Sequence, residues 1–268
     1  MPNLNEITSF SNPRVKEVVK LRERSVRDKM NLMIVEGLRE TMRGFDAGIY
    51  FKDLYFSKNF FEENQHDSFI QEACSLVENV FLLKKDIFEK ISFGNRKEGI
   101  LAICKQPEAK FSDLKLSSNP LLVVVESLEK PGNLGAILRT CDGAGVEAVI
   151  VCDEVADIYN PNVIRSSTGV IFSVPVIKAS SQETVKFLKE NKIIICATFL
   201  GSEKEYTKIN MKNPLAVVAG SEKNGLDDFW RNSADEIVSI SMRGKADSLN
   251  VSVATSIILY EAIRQRNI

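Results

Sequence analysis

The chain is poor in the residues from which most metal and redox sites are built. It has one histidine, His66, in 268 residues, and its five cysteines (Cys74, Cys104, Cys141, Cys152, Cys196) are scattered without a Cys-x-x-Cys pair. That spacing argues against a zinc site, and an odd, dispersed set argues against a disulfide framework. A reducing, cytoplasmic location is expected, with no metal. No apolar run approaches the roughly 18 residues that span a bilayer, and no N-terminal signal pattern appears, so neither secretion nor membrane insertion is expected. Charge of either sign is not in excess: 35 Lys and Arg against 36 Asp and Glu leave a net charge of -1. Any phosphate-binding surface must therefore be local.

What is present is a chain that is 44% hydrophobic, enough to bury one large or two modest cores. Its first hundred residues alternate helical and strand patterns. Helices are expected near 12 to 29, up to Asp46 and over Asp86 to Ile91, with strands at Leu32 to Val35, Leu54 to Ser57, Val80 to Leu83 and Gly99 to Cys104. From Gln106 to Pro120 the sequence turns polar and aperiodic, which places a linker at 108–120 between a small α/β domain (1–107) and a larger one (121–268). Strand and helix then alternate. Strands are expected at Leu121 to Glu126, Ala148 to Cys152, Ile171 to Ile177, Ile193 to Phe199, Leu215 to Ala219 and Ile237 to Ile240, with a long last helix to Arg266. This is the pattern of a mostly parallel sheet covered on both faces. The last helix carries apolar residues nearly all round, so it lies buried in its own domain or is covered by a second subunit.

The basic residues cluster once. Arg14, Lys16, Lys20, Arg22, Arg24, Arg27 and Lys29 are opposed there only by Glu17, Glu23 and Asp28, which makes either a phosphate-binding patch or a solvated helix face with paired charges.

Two glycine patterns are decoys. Gly143-x-Gly145-x-x-Ala148 follows a helix and precedes a strand, the reverse of the order that aims a helix N-terminus at a pyrophosphate, and Gly220 to Gly225 is followed by Leu226-Asp227 where a phosphate loop needs Lys and Ser or Thr. Three other segments carry the chemistry. Glu129-Lys130-Pro131-Gly132-Asn133-Leu134-Gly135-Ala136-Ile137-Leu138-Arg139-Thr140 opens a helix that Asn133 is placed to cap, with Leu134, Ile137, Leu138 and Cys141 as its core stripe. Arg139 lies off that stripe among small residues, open to a bulky substrate or paired with Asp142. Gly220-Ser221-Glu222-Lys223-Asn224-Gly225-Leu226 and Ser248-Leu249-Asn250-Val251-Ser252-Val253-Ala254 supply polar, glycine-bearing turns after buried strands, the usual place for a ligand. Glu222, Ser248 and Asn250 also have the chemistry of helix caps.

These three segments, in this order and spacing, resemble the motifs of the SpoU/TrmH family of RNA 2′-O-ribose methyltransferases. The resemblance implies an α/β fold, mostly parallel, ending in a trefoil knot, although an unknotted sheet is the default for any chain. It implies S-adenosyl-L-methionine as donor, held by Thr198, Gly220, Ile240 and Leu249, and a homodimer formed through the last helix. It places Arg139, Asn133, Glu222, Ser248 and Asn250 at the reacting ribose. A guanidinium ordinarily stays protonated far above neutral pH, so Arg139 reads as a phosphate anchor ahead of a base. Asn160-Pro161-Asn162-Val163-Ile164-Arg165-Ser166-Ser167-Thr168-Gly169 also resembles a family segment, in which Arg165 contacts RNA or pairs within the dimer.

Asn12-Pro13-Arg14-Val15-Lys16 and Val35-Glu36-Gly37 look like the opening of the ribosomal-protein-like substrate-binding domain of ribosomal-RNA members. That makes ribosomal RNA the expected partner, gripped by Arg14, Lys16, Arg22, Arg24, Arg27 and Arg165. The alternatives are a transfer-RNA enzyme or a catalytically silent RNA-binding relative.

Overall fold

A computed structural model describes residues 5–60, 67–93, 98–153, 157–221 and 223–267. The chain divides into two compact units, one formed by Met1–Pro107 with Tyr159–Phe172, the other by Glu108–Ile158 with Ser173–Ile268.

In the first unit the order is β1 (Asn5–Ile7), α1 (Pro13–Lys20), α2 (Arg24–Met30), β2 (Leu32–Glu36), α3 (Leu38–Asp46), β3 (Phe51–Phe56), α4 (Asp67–Leu76), β4 (Asn79–Leu83), α5 (Lys85–Ile91) and β5 (Ile100–Lys105). The strands form one mixed sheet in the order β1-β4-β3-β5-β2. β5 runs antiparallel to both its neighbours, while β1, β4 and β3 are parallel. Val15, Val18, Leu21, Ile34, Tyr55, Phe88 and Leu101 share its core. The helix expected over 12 to 29 is broken into α1 and α2. The side chain of Asn12 caps the start of α1, and the guanidinium of Arg27 folds under its end to reach the carbonyls of Leu21 and Arg22 at 2.7 and 2.8 Å.

The second unit holds β6 (Leu121–Glu126), α6 (Pro131–Gly143), β7 (Ala148–Cys152), β8 (Val176–Ala179), α8 (Ser181–Glu190), β9 (Ile194–Thr198), β10 (Leu215–Ala219), α9 (Asp228–Ser233), β11 (Glu236–Val238) and α10 (Val251–Arg266). Its six strands are ordered β11-β9-β10-β6-β7-β8 and every neighbouring pair is parallel. β6, β7 and β10 are buried at every position, which is what their unbroken apolar runs require of strands covered on both faces. Between Phe172 and Val176 there is no strand. The expected run from Ile171 starts instead as a short 3-10 turn after Gly169, a residue with φ +83°, and pairing begins only past Pro175. The stretch 108–120 is not a bare linker, since Ala109, Phe111, Leu114 and Leu116 pack against the second core.

The helix inserted between β7 and β8, α7 (Pro161–Ser166), belongs to the first unit and packs on β2. Arg43 of α3 ties the end of this segment, donating to the carbonyl and hydroxyl oxygens of Thr168 at 2.7 Å each.

Candidate active site

Parallel strands deliver their following loops to one edge of the sheet, and in the second unit three neighbours, β11, β9 and β10, do so around a single cavity of about 390 Å³. Thr198, Phe199 and Leu200 enter from β9, Gly220, Ser221 and Lys223 to Leu226 from the turn after β10, and Ser239, Ile240 and Met242 from beyond β11, while Ser248, Leu249, Val251, Ala254 and Ile258 close it from α10 and the turn before it. The wall is largely apolar, with Ala219, Leu226, Val238, Ile240, Leu249 and Ile258, and among the described residues charge appears only at Lys223, Asp228 and Arg231. A cavity of this size, apolar within and polar at a few points, suits a small organic ligand with a flat apolar part and a charged end.

The loops that shape it are fixed locally. Gly220 has the backbone of Gly225 and Leu226 against it so closely that a Cβ would overlap them. Ser221 organises the turn between, accepting at its Oγ from the Asn224 amide (3.1 Å) and at its carbonyl from the Gly225 amide (2.9 Å). Thr198 does not offer its hydroxyl freely: the group donates to the Val218 carbonyl at 3.0 Å and locks β9 to β10 at the cavity floor. Asp227 caps α9 by accepting from the Trp230 amide.

Of the residues expected at the site, Thr198, Gly220, Ile240, Ser248 and Leu249 line the cavity together. Asn250 stands between two lining residues as the cap of α10, accepting from the Ser252 amide at 3.0 Å, and its amide donates to Asn133 Oδ1 at 3.2 Å. Asn133 therefore has a different task from the capping role expected of it. α6 begins two residues earlier, at Pro131, and the Asn133 side chain bonds across to the start of α10. Arg139 lies six residues further along α6 and is exposed. The core stripe of that helix, Leu134, Ile137, Leu138 and Cys141, is wholly buried, and Thr140 meets Ser256 of α10 at 2.9 Å. Glu222 lies outside the described residues.

The expected RNA contacts all lie in the first unit and differ in what holds them. Arg27 is 1% exposed and caps α1, so it is not available to phosphate. Arg22 spends its guanidinium on the carbonyls of Lys90 and Ser92 at the end of α5, at 2.8 and 2.6 Å. Arg14 pairs with the buried Asp53 at 2.9 Å and lies 4.5 Å over the Phe81 ring. Burial raises the Asp53 carboxyl above the usual range, against the pull of Arg14. Lys16 is exposed, Arg24 is exposed with Asp28 at 3.4 Å, and Arg165 is exposed on α7.

Other chemistries find little support. Burial pushes the thiols of Cys141, Cys152 and Cys196 up to about 12, so none supplies a thiolate at neutral pH. Among the described residues, no group of three or more His, Cys, Asp or Glu side chains is placed to hold a metal, and no helix is long and apolar enough to cross a membrane.

Sequence reasoning missed the rim. Phe199 and Leu200 line the cavity because they continue β9, a placement the strand-end rule anticipates; Arg231 reaches it from α9, for which the sequence holds no signal.

Comparison with known proteins agrees with this geometry. Residues 120–260 match a family model described as the SpoU rRNA Methylase family, and residues 12–102 match one described as an MRM3-like substrate binding domain. The 23S rRNA (guanosine(2553)-2′-O)-methyltransferase RlmP of Bacillus subtilis (strain 168) is 27% identical over 257 residues, 96% of this chain and 98% of that protein. A crystal structure of an RNA 2′-O ribose methyltransferase superposes with a TM-score of 0.85 at 38% identity, covering 98% of this chain and 100% of the other. The AdoMet-bound rRNA methyltransferase from Sinorhizobium meliloti superposes with a TM-score of 0.89 at 26% identity, covering 97% and 98%.

Proposed function

The chain belongs to the SpoU rRNA methylase family, and from that premise we infer that it is an S-adenosylmethionine-dependent methyltransferase acting on the 2′-hydroxyl of a ribose in 23S ribosomal RNA. The observation that carries this reading is the cavity at the ends of β9, β10 and β11, where Thr198, Gly220, Ile240, Ser248 and Leu249 converge. Its apolar wall fits an adenosyl group, and Lys223 and Asp228 at its rim fit the zwitterionic end of an amino acid.

Methyl transfer needs the ribose oxygen in line with the carbon–sulfur bond and the loss of one proton. The oxygen–carbon bond forms as the carbon–sulfur bond breaks, leaving the demethylated thioether. The protein's part is alignment. Asn133 and Asn250, joined by their hydrogen bond, fix α6 to the turn that carries Ser248. Ser248 faces the cavity, and Arg139, exposed on the same unit, anchors the phosphate beside the target ribose. Glu222 completes the set through its place in the second motif.

Four finer features accompany this reading. The C-terminal segment is knotted, as the family fold implies. The working form is a homodimer in which α10 is covered by its counterpart, since Val253 and Tyr260 are 46% and 54% exposed on a helix that is otherwise largely apolar. The first unit grips the RNA through Lys16, Arg24 and Arg165, and the enzyme works in the cytoplasm, where its substrate is.

The test is methylation of 23S rRNA with labelled donor, followed by nuclease or alkaline digestion. A label recovered in a dinucleotide that resists cleavage at the modified position is expected; label on a free base would overturn the ribose assignment.

A further inference from the structure

One rim of the cavity has no place in the motifs. Phe199 and Leu200 continue from β9, Asp228 and Arg231 lie on α9, and all four line the cavity. The guanidinium carbon of Arg231 stands 4.2 Å from the centroid of the Phe199 ring, within the range of a cation–π contact. Behind the ring, the Phe199 amide donates to the Val238 carbonyl at 2.9 Å and the side chain packs partly on the core. Leu200, next in sequence, is 70% exposed, more than any other large apolar residue among those described. An aromatic ring held by a cation and followed by an uncovered leucine, both at the mouth of an apolar cavity, is a surface waiting for a flat apolar group.

We propose that Arg231 is a positioning residue for the methyl donor: by stacking on Phe199 it holds that ring as the cavity wall at the end of β9, and the adenosyl group covers the strip formed by Phe199 and Leu200. This rests on the methyltransferase reading given above. Arg231 acts on donor binding and not on the reacting atoms, so its loss changes the KM for the donor and leaves kcat alone. The planar guanidinium matters as well as the charge, because lysine offers a point charge without a face to stack.

Calorimetric titration of the full chain with S-adenosylhomocysteine, together with steady-state kinetics, tests this. Arg231→Ala is expected to raise Kd and the donor KM about two- to fivefold, the range an exposed cation–π contact supports, with kcat unchanged. Arg231→Lys should recover part of the loss and Arg231→Met none. Phe199→Leu should weaken binding too, and adding Arg231→Ala to it should cost nothing further, since the arginine works through the ring. Unchanged Kd in Arg231→Ala, or losses that simply add in the double variant, would overturn the proposal. If the unmodified protein fails to take up S-adenosylhomocysteine at all, the methyltransferase reading falls, and this one with it.

Discussion

A methyl group at position 220 has nowhere to go. Any Cβ there would overlap the backbone of Gly225 and Leu226, and the obstruction is main chain, which cannot rotate aside. Gly220→Ala is expected to push the 220–226 turn open and weaken S-adenosylhomocysteine binding at least tenfold, while the sheet, whose strand ends at Ala219, survives with a melting temperature within a few degrees of the parent. Equal affinity in titration would mean that the turn is more pliable than its hydrogen bonds indicate. Arg139→Ala is the complementary experiment. The side chain is exposed, so the fold and donor affinity should be untouched, while turnover drops by about 10² or more, the scale of losing one positioned electrostatic group. An active variant would return Arg139 to a surface role. Sequence reading reached these residues because each sits in a motif with fixed spacing. It misjudged Arg27, whose charge marked it as a surface residue, since no periodicity shows that a long side chain can curl beneath the preceding helix and bury its guanidinium on two carbonyls.

Helices α1 and α2 carry the same lesson at the next scale. Their arginines are divided between architecture and solvent, so charge removal should separate the two. Replacing Lys16, Lys20 and Arg24 by neutral residues is expected to lower the slope of log K against log salt for RNA binding by about 0.7 to 0.9 per lost contact, leaving stability intact. Arg27→Ala should do the opposite, lowering the melting temperature while the slope stays put. A second element-level prediction concerns the end of β6, where Glu126 is buried. Burial and then the nearby Asp227 raise its carboxyl above the usual range, with Asp153 adding to the effect and the Trp230 side chain opposing it. A carboxyl whose folded-state pKa is raised favours the folded state most below its unfolded value of about 4.3 and loses that contribution as pH climbs through the raised value. The melting temperature of Glu126→Gln should therefore gain on the parent as pH rises from 4 to 7; a constant difference would show that Glu126 titrates normally. Strands at this scale were the most legible features. β7 and β10 were read to the residue because their apolar runs are bounded by polar turns, whereas the break between α1 and α2 was not, because it depends on a contact that folding creates.

For the molecule as a whole, the exposed strip of α10 predicts self-association. Light scattering at micromolar concentration should give about twice the 30.0 kDa of one chain, and Val253→Glu combined with Tyr260→Glu should restore the single-chain mass. A parent mass near that of one chain at all concentrations would leave α10 uncovered. The return of 159–172 to the first unit left no mark in the sequence, since a short amphipathic helix reads alike wherever it docks. That return has a consequence for biosynthesis. A ribosome delivers the chain in order, and domains ordinarily fold as each is completed. Here the first unit is still missing α7, the helix that packs on β2, when β6, α6 and β7 have already been made. The N-terminal unit therefore cannot finish first, and one flank of its sheet stays uncovered until residue 172 has been translated.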